Sequence, residues 1–314
     1  MKRISYPKCN RSGVRFVISR NEDLSENIWF LSDDFPIAMY TQSYDHAASD
    51  HIPFHWHDEI QVVWVYQGTL TYQVNGHTFP LDRGKLLFIN SRLLHSSRTI
   101  KGDAKTLCID FSQRIFHPMI LKHYIQPVLE DSTCTYMCLP LKPYYLDTLE
   151  QFTNWDEKLL GYFSVTNFLS QLVEDIVKNF KGDSAPVDYE EVRRFNAILE
   201  YVHNQYSEPL TVALLAKTAH LNKNRLTALF KKYTNMTPVK YLNEYRLYVA
   251  KNLITSTDLS ISQISEDVGY HQISHFIQQF RKSYGMTPLK YRNRYSRTSD
   301  IPETIAKQVG DGTQ

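Results

Sequence analysis

Short apolar runs separated by glycine-containing turns dominate the first half of the chain. Four of them follow one another closely: Gln61–Tyr66, Thr69–Val74, His77–Leu81 and Lys85–Ile89. The Asn75-Gly76 pair between the second and third runs is typical of a two-residue β-hairpin turn. Strands of this length and spacing predict a small antiparallel barrel or sandwich.

From about Tyr144 the apolar positions recur at helical spacing. Two amphipathic helices are predicted, over residues 145–160 and 164–180, and they either cover the barrel or pair two chains. The segment Lys181–Pro186 then contains Gly, Asp, Ser and Pro, a composition typical of a linker. Beyond it the pattern is helical until a polar tail that begins at about Thr298, for which we predict no structure.

The second half of the chain repeats itself after about fifty residues. Residues 230–241 (FKKYTNMTPVKY) align with residues 280–291 (FRKSYGMTPLKY), and seven of the twelve positions are identical. Upstream, residues 210–216 align with residues 259–265, one residue out of register. The chain is therefore expected to contain two copies of one helical unit.

Each copy carries residues suited to begin and end two helices joined by a tight turn. Ser, Thr and Asn cap helix starts, Asn or Gly suits a left-handed helix end, and Pro suits a first helical position. These residues are Thr211, Asn222, Asn235 and Thr237-Pro238 in the first copy and Ser260, Ser274, Gly285 and Thr287-Pro288 in the second. Helix, turn, helix is an arrangement whose second helix can enter a DNA major groove.

Net charge first argues against a nucleic-acid partner, but its distribution reverses that conclusion. The 314 residues are 42% hydrophobic and carry a formal charge of only +2. This length and apolar content predict two domains. Residues 186–297 hold 16 basic and 9 acidic residues, a net +7, whereas residues 1–185 have a net −3 and residues 298–314 a net −2. The cations cluster after each second helix, where phosphate contacts need them: Lys231, Lys232, Lys240, Arg281, Lys282, Lys290, Arg292 and Arg294.

Residues from about 193 to 295 resemble the AraC/XylS family of transcription regulators. The likeness rests on Leu215-Ala216, Leu226 and Phe230-Lys231-Lys232 in the first copy, and on Ile264, Val268-Gly269-Tyr270, Phe276, Phe280, Lys282, Gly285, Thr287-Pro288 and Tyr291-Arg292 in the second. His220 stands where a glycine is expected in the first turn. Histidine tolerates a positive φ better than β-branched residues do.

The resemblance implies two helix-turn-helix units joined by a long helix, from about Pro238 to Ser256, with recognition helices in successive major grooves of a double-stranded DNA operator. It also implies a homodimer through the helical segment, and contact with RNA polymerase if the protein is an activator. Asn and Gln can pair with adenine, and Ala and Thr methyl groups can contact thymine. The residues expected to contact DNA are Asn222, Lys223, Asn224, Arg225, Thr227, Ala228, Lys231 and Lys232, then His271, Gln272, Ser274, His275, Ile277, Gln278, Arg281 and Lys282.

A histidine pattern marks the first half. His55, His57 and Gln61 would share one face of a strand because side chains alternate, and His95 follows later. The pattern is similar to the cupin barrel, whose metal motif has a glutamate where this chain has Gln61, and Gln is a poor ligand beside carboxylate. The likeness extends to Gly68, Asn75-Gly76 and Gly84.

Three interpretations of these histidines remain open: a cupin-type metalloenzyme (dioxygenase or isomerase) fused to a DNA-binding domain, structural histidines, or a small-molecule pocket. We expect the pocket, with a sugar or related metabolite as effector, because aromatic rings and a few directed polar groups are typical of such sites. We predict no catalysis, no cofactor and no bound metal. The residues expected to bind the effector are His55, His57, Gln61, Trp64, Tyr72 and His95.

The expected fold class is multi-domain α and β. The predicted domains are a cupin-like antiparallel β-barrel (1–140), a helical dimerisation segment (141–180), a linker (181–190), an all-α domain with two helix-turn-helix units (191–297) and a polar tail (298–314). No run approaches the ~18 apolar residues of a membrane span, and no secretory pattern is readable. The four cysteines contain no C-x-x-C pair. We therefore expect a cytoplasmic protein without membrane contact.

Overall fold

The computed structural model describes residues 35–153, 159–182 and 185–295. The predicted polar tail, Cys9 and the first 34 residues of the predicted barrel domain lie outside the described residues. The chain forms two compact units. The first contains the described residues up to Gln205 together with Leu210–Leu242, and the second contains Tyr206–Pro209 and the described residues from Asn243 onward.

The first unit begins with two antiparallel sheets. In the described part of the chain, the strands are β1 (Ile37–Tyr44), β2 (His51–His55), β3 (Ile60–Gln67), β4 (Leu70–Val74), β5 (His77–Leu81), β6 (Lys85–Ile89), β7 (His95–Thr99), β8 (Ala104–Phe111) and β9 (Tyr136–Pro140). One sheet has the order β1-β8-β3-β6-β9 and the other β2-β7-β4-β5. All pairs are antiparallel. The four strands predicted from hydrophobic alternation correspond to β3–β6, and the antiparallel β prediction is confirmed.

Strand β3 shows how the sheets build two cores. Its alternate residues Val63 and Val65 pack into a cluster made by both sheets. The intervening residues Val62 and Trp64 belong to a second cluster, which lies between the five-stranded sheet and the helices. Because every residue from Ile60 to Val65 is buried, β3 is a central strand covered on both faces.

Helices close the outer face of the five-stranded sheet. After a 3-10 turn (Gln113–Ile115), α1 (Pro118–Ile120), a π-turn (Leu121–Ile125) and α2 (Gln126–Leu129) lead into β9. They are followed by α3 (Pro143–Phe152) and α4 (Leu159–Asn179). Buried residues of α3 and α4 share one cluster with the sheet. These helices therefore cover the sheet, one of the two alternatives; whether their other face pairs two chains stays a prediction.

The first helix-turn-helix completes the first unit. It consists of α5 (Tyr189–Asn204), α6 (Val212–Thr218), α7 (Lys223–Thr234) and the start of α8 (Pro238–Ser256). Asp188 caps α5, which consequently begins inside the segment predicted as linker. The predicted caps are confirmed: Thr211 accepts from the amide of Leu214 and Asn222 from that of Arg225. Asn235 ends α7 in the left-handed region with φ of 57°.

The second unit repeats this arrangement with the rest of α8, α9 (Ile261–Asp267), α10 (Ile273–Tyr284) and α11 (Pro288–Tyr295). Ser260 caps α9, and Gly285 ends α10 at φ of 73°. Gln272, rather than Ser274, is the N-cap residue that precedes α10, and its side chain makes no capping hydrogen bond. The turns correspond as well: His220 has φ of 53° and Gly269 has φ of 83°. His220 thus adopts the backbone for which glycine was expected.

None of the described helices combines the length and the hydrophobicity that a membrane span requires.

Candidate histidine cluster and DNA-reading helices

Three buried histidines meet inside the first unit. His55 ends β2, His95 begins β7, and the two residues are directly paired across the strands. His57 follows two residues after His55. One ring nitrogen from each histidine lies within 4.8 Å of the others. At 5%, 2% and 1% exposure, all three imidazoles are shielded from solvent. The structure therefore brings together the three histidines that the sequence singles out.

Backbone carbonyl groups determine which nitrogen of each imidazole carries a proton. Nδ1 of His55 lies 2.9 Å from the carbonyl of Pro53, and Nδ1 of His95 lies 2.9 Å from that of Leu93. Nδ1 of His57 lies 3.0 Å from the carbonyl oxygen of Glu59. A carbonyl oxygen only accepts, so each Nδ1 is the donor and, in the neutral ring, each Nε2 keeps its lone pair.

A buried carboxylate lies beside His57. Asp110 on β8 pairs with Gln61 on β3, and its Oδ1 lies 4.0 Å from Nε2 of His57. Asp110 is completely buried. Sequence reasoning missed this residue, although an aspartate inside the apolar run of β8 is an unusual feature that could have drawn attention to it.

Burial also sets the charge of the neighbouring groups. Burial, together with the nearby rings of His55 and His57, holds the pKa of His95 well below its usual value, so that this imidazole is neutral at pH 7. Burial likewise raises the pKa of Glu59, against the opposing effect of His57. A neutral imidazole is the form that acts as a hydrogen-bond acceptor or as a metal ligand.

The remaining predicted effector residues divide between two faces. Gln61 lies on the same face of β3 as Val63 and Val65, and it is buried. Tyr72 lies in the cluster between the two sheets, where Tyr44 and Ser97 also meet, their oxygens 2.8 Å apart. Burial raises the pKa of Tyr72 and keeps its hydroxyl protonated.

Trp64 requires a correction. It lies on the other face of β3, in the cluster between the sheet and the helices, and its indole N–H donates to the carbonyl of Arg83. The reason is parity: Trp64 is three residues from Gln61, and side chains an odd number of positions apart point to opposite faces of a strand. Trp64 therefore does not face the histidines.

The first recognition helix presents the residues expected to contact DNA. On α7 the apolar stripe of Leu226, Leu229 and Phe230 is buried. All of the predicted residues are exposed except Thr227, which is half-buried: Asn222, Lys223, Asn224, Arg225, Ala228, Lys231 and Lys232. Their contact with DNA stays a prediction.

The second recognition helix repeats this pattern. On α10, Phe276, Phe280 and Tyr284 are buried. The predicted contact residues are exposed except Ile277, which is half-buried: His271, Gln272, Ser274, His275, Gln278, Arg281 and Lys282. The two helices therefore offer outward faces at corresponding positions.

A carboxylate binds the cations of the first recognition helix. Glu191, on α5, accepts hydrogen bonds from Arg225 and from Lys232, and from the hydroxyl of Tyr233 at 2.8 Å. Burial alone would raise the pKa of Glu191, but the bonds from Lys232 and Tyr233 hold it below its usual value. Glu191 therefore stays ionised and pairs with two of the cations predicted to bind DNA.

The strands that carry the histidines also contact the helices of the first unit. The amide of Arg92 donates to the carbonyl of His57 at 2.8 Å, and Asn196 on α5 donates to the carbonyl of Arg92 at 3.2 Å. Phe54, adjacent to His55, lies against Tyr241 on α8, with ring centroids 6.2 Å apart.

The β4–β5 hairpin makes a further contact with α7. Asn235 donates to the carbonyl of Gly76 at 3.2 Å. A Cβ on Gly76 would lie only 2.1 Å from the carbonyl oxygen of Lys232, so the hairpin and the end of α7 approach closely.

Comparison with known families accounts for both halves of this arrangement. Residues 36–143 match the AraC-like ligand binding domain, and residues 215–294 match a helix-turn-helix domain. The chain therefore has an AraC-like ligand-binding domain and an AraC-type helix-turn-helix domain. As an AraC-type protein it combines a ligand-binding domain with a DNA-binding domain, as the resemblance implied.

Relatives of this AraC-type chain carry regulator names. It is 27% identical to an uncharacterized HTH-type transcriptional regulator, YdeC, of Bacillus subtilis, over 90% of this chain and 99% of that relative. It is 24% identical to the HTH-type transcriptional activator RhaR of Mannheimia succiniciproducens, over 87% of this chain and 97% of that relative. A crystal structure of ToxT from Vibrio cholerae with a bound unsaturated fatty acid is 12% identical, covering 84% of this chain and 98% of that one, with a TM-score of 0.48.

Proposed function

We propose that this chain is a one-component transcription regulator whose barrel binds a sugar or a related metabolite and whose two recognition helices read successive major grooves of an operator. Two chains pair through the helical segment, and an activating complex contacts RNA polymerase. The proposal assigns no catalytic step to the chain.

One observation carries the DNA-binding part of the proposal. Both α7 and α10 bury an apolar stripe, expose the opposite face and end in two adjacent cations, Lys231-Lys232 and Arg281-Lys282. Cations at this end of a recognition helix are suited to phosphate, and the exposed amides of Asn224 and Gln278 are suited to base edges.

Operator binding tests this part directly. The operator is selected from a random-sequence DNA library with the full-length protein, and affinities are then measured at one salt concentration. Arg225→Ala and Gln278→Ala are expected to weaken binding by about 1–3 kcal/mol if the side chain reads a base. Arg83→Ala, an exposed arginine outside both recognition helices, is the control. Unchanged operator affinity in both variants would contradict the proposed readout.

The chemistry between the sheets supports a polar effector. The hydroxyls of Tyr44 and Ser97, the amide of Gln61 and three imidazoles are all buried there, although apolar side chains make up most of the core. Hydroxyl, amide and imidazole groups are the partners that sugar hydroxyls use. The contacts from His57 through Arg92 to Asn196 on α5 give such an effector a route to the DNA-binding helices.

A thermal-shift screen over a panel of sugars tests the effector. The true ligand is expected to stabilise the protein in proportion to RT ln(1+[L]/Kd), about 2.7 kcal/mol at a hundredfold excess over Kd. His55→Ala should abolish the shift, and His77→Ala, an exposed histidine on β5, should keep it. The sugar assignment is wrong if no member of the panel shifts the transition, or if the shift survives in His55→Ala.

The helical segment supports the proposed dimer. Phe163 on α4 is 71% exposed, although the buried face of α4 already covers the sheet. A large aromatic side chain in this position is suited to a protein contact. Light scattering of wild type and Phe163→Glu should show a dimer and a monomer, and a wild-type monomer at micromolar concentration would exclude this interface.

A further inference from the structure

The histidine cluster is arranged like the ligand set of a metal ion. Metal-binding histidines almost always donate their second ring N–H to a carbonyl or carboxylate oxygen, which orients the ring and fixes the tautomer. All three histidines do this: Nδ1 of His55, His57 and His95 each donates to a backbone carbonyl at 2.9–3.0 Å. In a neutral ring held in this way, Nε2 is the nitrogen that carries the lone pair a metal ion needs.

Two of these atoms are otherwise unexplained. Nε2 of His57 and Nε2 of His95 are buried and have no hydrogen-bond partner among the described residues. Buried acceptors are nearly always satisfied in native proteins, and an exception calls for an unseen water, ion or ligand. Because a ring nitrogen of each histidine lies within 4.8 Å of the others, one ion can contact all three.

The sequence argument against a metal depended on Gln61, and the structure removes that objection. Asp110 pairs with Gln61 across β3 and β8, so its carboxylate enters the site from the neighbouring strand. Its Oδ1 lies 4.0 Å from Nε2 of His57, close enough for both atoms to ligate one ion. Asp110 on β8 therefore offers the carboxylate that β3, with Gln61 at the paired position, lacks.

We propose that His55, His57, His95 and Asp110 bind one divalent transition-metal ion of the series from Fe²⁺ to Zn²⁺. Imidazole nitrogen suits these ions, whereas Mg²⁺ and Ca²⁺ prefer sites made of oxygen atoms only. The single carboxylate balances part of the charge of the ion in a buried site. An ion bound by the three imidazoles leaves the hydroxyls of Tyr44 and Ser97 and the amide of Gln61 to contact the proposed effector.

Cobalt titration of the full-length protein tests the site. Chelator-treated protein is titrated with Co²⁺, whose visible absorption strengthens when protein ligands replace the octahedral shell of water, and Zn²⁺ is then added in competition. We expect one equivalent to bind, Zn²⁺ to displace it, and the melting temperature to rise on loading. Asp110→Asn, which keeps the side-chain shape, and His95→Gln should each weaken binding about tenfold or more. His77→Gln, an exposed histidine on β5, is the matched control and should bind as wild type does.

Several results would overturn the proposal. The absence of a Co²⁺ absorption change in folded wild-type protein would do so, as would equal Co²⁺ affinity in wild type and Asp110→Asn. Circular dichroism establishes that each variant is folded, and if Asp110→Asn does not fold, His95→Gln decides the outcome. DNA affinity is measured on the same samples, because wild-type protein that binds DNA but no Co²⁺ refutes this inference and leaves the proposed function standing.

Discussion

Glu191 pairs with two cations of the first recognition helix, and we expect the removal of its charge to strengthen DNA binding. Its carboxylate accepts hydrogen bonds from Arg225 and Lys232, two cations predicted to contact DNA. Each must leave Glu191, at least in part, before it can bind phosphate. The substitution Glu191→Gln keeps the shape of the side chain, and its amide oxygen still accepts from the hydroxyl of Tyr233. Only the ion pairs are lost.

The size of the effect follows from the exposure of the two pairs. Arg225 and Lys232 are 57% and 56% exposed, so each ion pair is screened and contributes about 0.2–1 kcal/mol. Together they oppose DNA binding by about 0.4–2 kcal/mol. Since 1.4 kcal/mol is a factor of ten, we expect Glu191→Gln to bind duplex DNA about 2- to 30-fold more tightly.

Fluorescence anisotropy with a labelled duplex of random sequence is a suitable assay, because non-specific binding depends on phosphate contacts. Measured from about 50 to 200 mM salt, the logarithm of affinity should fall more steeply for the variant, by up to about 0.9 for each cation released. Glu190→Gln is the matched control: it removes the same charge one residue away, from a carboxylate that pairs with Arg193 on the same helix. Equal affinities and equal salt slopes for the two variants would refute the reasoning.

Two further predictions concern the first unit. Gly76→Ala should be more destabilising than Gly102→Ala. Both glycines have positive φ, which costs an alanine about 1–2 kcal/mol, but only at Gly76 does the new Cβ meet a backbone carbonyl, that of Lys232. Urea unfolding measures the loss of stability in each variant, and hydrogen exchange at the end of α7 shows whether the helix end is loosened. Equal losses of stability in the two variants would exclude the contact between the hairpin and α7. Asp175 accepts hydrogen bonds from Lys142, Tyr144 and Tyr145. Burial opposes them, yet these bonds lower its pKa. The ionised Asp175 should therefore contribute about 1–3 kcal/mol to the free energy of unfolding. This contribution is complete above the pKa of about 3.9 that an aspartate has in the unfolded chain, and it is lost as the pH falls through the lower pKa of Asp175 in the folded protein. Asp175→Asn should be less stable than wild type at pH 7, by a margin that narrows in acid; a constant margin would contradict this account.

Local chemistry explains why the helical half was predictable. Caps such as Thr211, Ser260 and Asn235 act within a few residues of their own position, so the sequence around each one is sufficient to place a helix end. The repeat supports these assignments, because a capping residue in one copy is expected at the corresponding position of the other. The exception is Gln272, which stands at the N-cap of α10 but makes no side-chain capping hydrogen bond. At this position the two copies share a backbone conformation without sharing a capping side chain.

The barrel was only partly predictable, because strand register joins distant residues. Alternation located β3 to β6, and the same rule, applied to Trp64, would have excluded it from the histidine face. The partners of β3 could not be read from the sequence. Its neighbours in the sheet are β6 and β8, and β8 follows β3 only after four intervening strands, three of which belong to the other sheet. The pattern of apolar and polar residues within one strand does not reveal which distant strands pair with it.

Asp110 shows how pairing between distant strands affects the candidate site. In a metal motif defined along one strand, Gln61 replaces a carboxylate ligand. On that basis the sequence alone predicts that the histidines bind no metal. In the folded sheet Gln61 and Asp110 are cross-strand neighbours, and the carboxylate of Asp110 lies 4.0 Å from Nε2 of His57. A ligand can therefore move from one strand to the next without loss of the site. The register of the strands therefore decides which residues of such a barrel can be metal ligands. The loss of a ligand within the motif excludes a metal only when the residues paired with that position on the neighbouring strands cannot bind a metal either.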